Sequence, residues 1–312
     1  MSISSLQEYP QPRLLLTGAG GWFGRTALYE YEKLYGPEAL RTQIVPFASK
    51  ARQIDFGSPY GPIEAFDLRE ISSVSHASGL LHLAFLTRDR VVDEGLDSYI
   101  RINRKIIELV GQAISRFPSI PVITTSSGAS AALDGKAPDL EGNPYATLKQ
   151  EEEALWYESA SGRMVLIFRV YAASGYFMPR PSRFALGDFI LQAMKSHEIF
   201  ISAGHVVERS YVHVGSLMRL CWMLLEKPLD QGCYNIDACS HRTDLFGLAR
   251  LVAKIFHILP PNATIDNGLA ADIYVGESST LLALCRKYCV AIPSLEQQIV
   301  DTFSGIRHLA KN

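Results

Sequence analysis

Two side chains four residues apart raise the first chemical question. The stretch "NPYATLKQEEEAL" carries Tyr145 and Lys149, a spacing that puts both on one face of a helix. A free phenol has a pKa of about 10 and is a poor base in neutral water, but a neighbouring ammonium favours the phenolate. Such a pair can pass a proton to or from a carbonyl or alcohol oxygen while hydride moves on the attached carbon. Upstream, "VITTSSGASAA" ends in hydroxyls. Ser127 is the expected donor that polarises the substrate oxygen, with Ser126 or Thr125 in reserve; the bland alternative is serines lining a strand-to-loop turn. Near the start, "LLLTGAGGWFGRT" sets four glycines within seven residues directly after an apolar run.

Gly18, Gly21 and Gly24 fit a T-G-x-x-G-x-x-G loop between a strand and a helix. The first glycine permits the tight turn, the second lets backbone approach a pyrophosphate, and the third lets the helix pack close to the sheet. The helix N-terminus then offers N–H groups and partial positive charge to phosphate. An NAD site wants an acid at the tip of the second strand. Here the tip reads "VPFASKAR", with Ser49, Lys50 and Arg52 where that acid would stand. A hydroxyl and two cations suit a 2′-phosphate, so NADP is expected, although a solvated basic loop is the alternative and Asp55 further on keeps NAD open. Asp67 either meets the adenine edge or caps a helix. Asn103 either holds a water near Lys149 or bonds a neighbouring backbone.

The elements that must position these groups alternate. "RLLLTG", "TQIVPFA", "GLLHLAFL", "IPVITTSS" and "MVLIFRVY" read as strands, separated by helical patterns such as "GRTALYEYEKLYG", "YIRINRKIIELVGQAISRF" and "YATLKQEEEALWYESAS". Continuous apolar runs between helices mean α/β, a Rossmann-type doubly wound parallel sheet buried on both faces. After about residue 175 the regularity weakens. The expected organisation is a dinucleotide-binding domain over 1–175 with a returning segment at about 205–240, carrying "ERSYVHV" and "GCYNID". A smaller substrate-binding lobe is expected over 176–204 and 241–312. In that lobe, Arg180 and Arg183 flank prolines ahead of Phe184 and Phe189, either as cations and aromatics for a nucleoside diphosphate or as a surface loop entering an amphipathic helix.

In this order the motifs resemble the extended short-chain dehydrogenase/reductase family of NAD(P)-dependent nucleotide-sugar epimerases, dehydratases and reductases. "TGAGGWFG" is similar to its glycine loop, "LLHLAFLT" to its V-x-H-x-A segment, "INRKII" to its N-x-x-G-T helix, and Tyr145/Lys149 to its Y-x-x-x-K pair. The resemblance implies cofactor contacts from Gly18, Gly21, Trp22, Phe23, Gly24, Leu83, Ala84, Asn103, Tyr145 and Lys149. It implies substrate contacts from Ser127, Arg183 and Arg209, with Arg209 of "ERSYVHVGSL" on a diphosphate. Gly128 and Ala129 stand where 4,6-dehydratases carry an Asp-Glu pair, so a 4-keto reductase is the first expectation. A nucleotide-sugar 4-epimerase, a reductase of small ketones or aldehydes, and a cofactor-sensing protein without catalysis are the alternatives. The family commonly pairs two helices across a two-fold. Ile106, Val110, Leu155 and Trp156 put apolar residues on more than one face of the corresponding helices here, so a homodimer is expected.

The bulk numbers narrow the classes. The chain has 312 residues, 47% hydrophobic, with net charge −2; it shows no basic footprint for nucleic acid and no apolar run near the about 18 residues that span a bilayer. "MSISSLQEYPQPR" is polar, lacks an apolar signal core, and is expected to be a disordered lead-in. Five cysteines, an odd number confined to the C-terminal third, read as thiols in a reducing, cytoplasmic setting. The eight histidines show no H-x-x-x-H or H-x-H spacing, so no metal site is expected, and His82, within an apolar strand, reads as a satisfied core residue.

Overall fold

The computed structural model describes residues 13–261 and 269–309; residues 1–12 of the expected lead-in lie outside them. Twelve strands run in chain order as β1 (Leu14–Thr17), β2 (Ile44–Ala48), β3 (Arg52–Ile54), β4 (Ile63–Asp67), β5 (Gly79–His82), β6 (Val122–Ser127), β7 (Met164–Val170), β8 (Ala172–Ser174), β9 (Val207–His213), β10 (Gly232–Ala238), β11 (His241–Asp244) and β12 (Asp272–Tyr274). Eight of them form one sheet in the order β10-β7-β6-β5-β1-β2-β4-β3. The pairs β1–β2, β1–β5, β2–β4 and β5–β6 are parallel, while β3 runs antiparallel to β4 at the edge.

The chain divides into two compact units. The first takes the chain up to Arg169 together with Cys221–Ile236, and the second takes Val170–Leu220 and Asp237 onward. In the first, β1 and β2 are almost wholly buried, as two-faced parallel strands must be. The helix Trp22–Gln43 follows the glycine loop and breaks at Gly36 (φ 87°, ψ 166°), where Pro37 opens a second helical piece. Proline suits that first position because its missing N–H would be unpaired there anyway. The helix "GRTALYEYEKLYG" therefore ends at its glycine as expected, and a short continuation follows it.

The helices Leu96–Ile114 and Pro144–Glu158 pack beside each other. Val110, Ala113, Ile114 and Trp156 from them join Leu15, Phe47, Leu80, Val122 and Val165 in one core. Val110 and Trp156 thus face inward and supply no outer apolar face. The outer side of the first helix is charged instead, with Arg101, Arg104, Lys105 and Glu108 lining its surface and Arg104 gripping Glu151 through two bonds of 2.9 and 2.7 Å. The apolar argument for pairing these helices across a two-fold therefore loses two of its four residues.

The second unit holds a smaller sheet centred on β9. Antiparallel β11 lies on one edge of β9, and parallel β12 and β8 pair with successive parts of it. "GCYNID" is β10, at the edge of the large sheet beside β7, whereas "ERSYVHV" is β9 and belongs to the small sheet. The returning segment is accordingly 221–236 rather than 205–240. An apolar run marks a strand but not its partner, and the ladder to β11 claims β9.

Trp156 is fully buried in the core of the first unit. Trp156→Ala should cost about 3–5 kcal/mol, read as a fall in the urea midpoint followed by near-ultraviolet circular dichroism.

Candidate active site

The order of the large sheet reverses between β1 and β5, and open α/β sheets take ligands outside the carboxyl ends of the strands at such a point. The glycine loop lies there. Gly18 sits at φ +72°, and a Cβ on it would come within 2.6 Å of the Leu83 backbone. A side chain on Gly24 would strike the Gly18 carbonyl, so the helix starting at Trp22 packs directly on the loop. The Gly21 amide donates to the Gly18 carbonyl at 2.9 Å, and no acid stands in the first helical turn. This is a cradle that side chains would fill, at a helix N-terminus suited to an anion; the residues fit the pyrophosphate of a dinucleotide. Trp22 and Phe23 form that first turn, and Leu83 and Ala84 follow β5.

The hydroxyl-rich end of β6 meets the helix that carries Tyr145. Asn143 caps that helix from its side chain and Pro144 opens it, as favoured at a helix start. Ser127 Oγ accepts from the Ala129 amide at 3.1 Å and is hydrogen-bonded to the Tyr145 hydroxyl. Of the reserve residues, Ser126 Oγ lies 3.2 Å from Ser130 Oγ, and the backbone carbonyl of Thr125 accepts from Lys149 Nζ at 2.8 Å. Burial raises the Tyr145 phenol, the Ser127 bond opposes this, and the charges of Glu152 and Asp89 add to the rise. Phe85 packs edge-on to Tyr145 at 5.9 Å and lies under Lys149 Nζ at 3.8 Å.

Lys149 is almost fully buried, and its ammonium lies 2.8 Å from Glu152 Oε2. Glu152 Oε1 lies 2.9 Å from His82 Nε2, off the axis of a linear hydrogen bond, and His82 Nδ1 meets Thr17 Oγ1 at 2.6 Å. A buried chain therefore runs from Lys149 to the tip of β1. Burial by itself would raise the Glu152 carboxyl, but Lys149 and His82 outweigh it and hold it at about 2. Asn103, also buried, clamps the Leu86 backbone, its Oδ1 accepting from the amide at 2.8 Å.

On the other side of the loop the charges are basic. The Arg52 guanidinium lies against Gly20, where any side chain would collide with it. Arg25, in the first helix, is lowered by burial, with Asp55 opposing and Arg52 adding to the shift. Ser49 and Lys50 are exposed at the β2 tip. Asp67 caps the turn after β4 and is held by Arg69 at 2.9 and 2.6 Å. Of its two expected roles the structure displays the cap. Asp55 accepts from the Gly57 amide at 2.9 Å within its own turn.

No family model and no curated protein matches the chain. Solved structures do. MoeE5 with UDP-glucose and NAD superposes at TM-score 0.70 with 16% identity, covering 96% of this chain and 100% of that one. The UDP-glucose 4-epimerase of Thermus thermophilus with NAD gives 0.68 and 17%, over 95% and 99%. The dTDP-glucose 4,6-dehydratase DesIV of Streptomyces venezuelae gives 0.68 and 15%, over 95% and 98%. The chain has the extended short-chain dehydrogenase/reductase fold. Within that fold Gly128 and Ala129 open a four-residue helix capped by Ser127.

The two arginines expected to contact substrate, Arg183 and Arg209, belong to the second unit. Arg209 in β9 is paired with Asp272 at 2.6 Å and also donates to the Glu208 and Asp272 carbonyls. Arg183 closes an exposed turn, Pro181–Arg183, beside Arg180 in a left-handed conformation (φ 44°). Sequence reasoning missed Glu152, Phe85 and Arg25. A run of three glutamates reads as a solvated face, yet Glu152 and Glu153 are buried. The available signal was the i, i+3 spacing of Glu152 from Lys149.

Because the folded Glu152 carboxyl titrates below its ordinary value of 4.5, its contribution to stability is complete above that pH and is lost as pH falls toward about 2. The unfolding free-energy difference between wild type and Glu152→Gln should be flat above about pH 4.5 and shrink below it. Urea titrations at several pH values measure it.

Proposed function

We propose that the chain is an NAD(P)-dependent oxidoreductase acting on a nucleotide-activated sugar, most simply as a 4-keto reductase. The observation carrying this reading is the Ser127–Tyr145 hydrogen bond beside a glycine cradle, with Lys149 one turn along the helix. A bound nicotinamide dinucleotide supplies the hydride. Gly18, Gly21 and Gly24, with the first-turn amides at Trp22 and Phe23, hold its pyrophosphate. Ser127 donates to the carbonyl oxygen, and Tyr145 hands that oxygen a proton as charge develops on it. Arg183 and Arg209 are the proposed contacts to the sugar diphosphate.

The basic side of the loop supports NADP(H) over NAD(H), with Lys50, Arg52 and the newly recognised Arg25 around the 2′-phosphate. Ser49 and Lys50, rather than an acid, follow the end of the second strand at Ala48. The 4-epimerase reading comes second, favoured by fold neighbours that hold NAD with UDP-sugars. A homodimer is part of the same proposal, through the charged outer face of Leu96–Ile114, where a depression of about 780 Å³ is lined by Ile100, Arg101, Arg104, Lys105 and Glu108. A cytoplasmic setting fits five free thiols; among the described residues no helix is long and apolar enough to cross a membrane.

Tyr145→Phe should lower single-turnover hydride transfer roughly 10²–10⁴-fold with cofactor affinity unchanged; near-wild-type rates would remove the acid–base assignment. Each charge-assisted bond to a phosphate contributes about 1.5–3 kcal/mol. Lys50→Ala/Arg52→Ala should therefore weaken NADPH binding at least about tenfold and leave NADH nearly unaffected. Fluorescence titration of both cofactors decides it, and equal wild-type affinities would refute the NADP preference.

A further inference from the structure

A Tyr/Lys pair alone does not say which way its proton moves. An ammonium without a counter-ion stabilises the phenolate, which takes protons from alcohols. Here the ammonium is committed elsewhere. Lys149 Nζ is bonded to Glu152 Oε2 and to the Thr125 carbonyl, each at 2.8 Å, and is covered by the Phe85 ring at 3.8 Å.

Glu152 is itself fixed. Thr17 Oγ1 accepts from the Leu83 and Ala84 amides at 3.1 and 3.3 Å, which uses both its lone pairs. Its single proton therefore goes to His82 Nδ1, 2.6 Å away, leaving the ring proton on Nε2, facing Glu152. Thr124 Oγ1 approaches the same carboxylate from β6 at 3.4 Å. At the centre of the cluster one ammonium and one carboxylate are paired with each other. Around Tyr145 stand the Ser127 hydroxyl from β6, the Phe85 ring from the loop after β5, Tyr99 from helix Leu96–Ile114, Asp89 from the loop before Arg90, and Lys149 and Glu152 on its own helix. The charges acting on the Tyr145 hydroxyl, Glu152 and Asp89, are both acidic and both hold it protonated, and the ammonium on its own helix, Lys149, is paired with Glu152.

We propose that Glu152, braced by His82, is a positioning residue that keeps Tyr145 a proton donor, so that the site favours carbonyl reduction over alcohol oxidation. The inference rests on reading Tyr145 as the proton-transfer group. In the favoured direction the carbonyl π bond breaks. Its carbon accepts hydride from a reduced nicotinamide dinucleotide, which is oxidised, and its oxygen accepts the phenolic proton. The phenolate left behind recovers a proton from water. The reverse direction must begin from the phenolate, which an uncompensated Lys149 would stabilise and the paired one does not. The ketone–alcohol equilibrium is untouched; what moves is the pH at which oxidation becomes available.

The test is a pH titration of the cofactor-free protein carrying tyrosine isotope-labelled at the ζ carbon, with the Tyr145 resonance assigned through Tyr145→Phe. In wild type that resonance should remain the phenol's at pH 10, the ordinary midpoint. Glu152→Gln should make the phenol about tenfold or more stronger as an acid, and Glu152→Asp, which keeps the charge, should return it toward wild type. A wild-type phenolate below pH 10, no change in the Gln variant, or an equal shift in the Asp variant would overturn the proposal. Because burial is the chief cause of the rise, the wild-type arm can overturn the proposal without any substitution, and the Gln and Asp variants assign the remainder to Glu152. In turnover, the rising limb of kcat/KM for alcohol oxidation should move about one pH unit lower in Glu152→Gln. Absence of turnover with every nucleotide sugar would remove the enzyme reading while the titration still decides the role of Glu152.

Discussion

The first unit is organised around one buried contact, the 2.8 Å pair between Lys149 and Glu152. Burying two charges costs desolvation that their attraction does not reliably repay. What the pair secures is geometry. Through Thr125 it ties the helix Pro144–Glu158 to β6, through His82 to β5, and through Thr17 to β1. Of these strands β5 and β1 flank the reversal in sheet order, and the same Thr17 hydroxyl receives the amides of Leu83 and Ala84. The backbone that closes on Gly18 is thus pinned by the network that holds Lys149. Truncating a member would leave a charge or a polar atom buried alone, a cost that an isosteric change such as Glu152→Gln keeps smaller.

What could be read from the sequence was local. The glycine loop announces itself because Gly18 and Gly24 occupy positions that side chains cannot share with the neighbouring backbone. Tyr145 and Lys149 announce themselves by helical spacing, and the strands by unbroken apolar runs. The unread part was the pairing between distant segments. Nothing near His82 names Glu152 as its partner, and nothing in "ERSYVHV" reveals that β9 joins β11 rather than the large sheet. A charge run is equally silent about its partners. The "KQEEE" stretch looks solvated, but of its glutamates only Glu151 reaches the surface to meet Arg104. Arg25 was passed over because it follows the glycine pattern rather than standing in it. Trp156 and Val110, read as material for an outer interface, are used up inside the protomer's own core.

The edge strand β3 carries a consequence of its own. It is three residues long, antiparallel to β4, and terminates the large sheet on one side. Short, charged, reversed edges keep a sheet from recruiting strands of other molecules. Arg52 begins that strand and also leans on Gly20. One residue therefore puts charge on the sheet edge and stands at the glycine loop. Exchanging Arg52 for an acid or an apolar side chain would change the charge of the sheet edge and the contact at Gly20 in the same step. The edge of the large sheet and the glycine loop meet in this chain at a single exposed guanidinium.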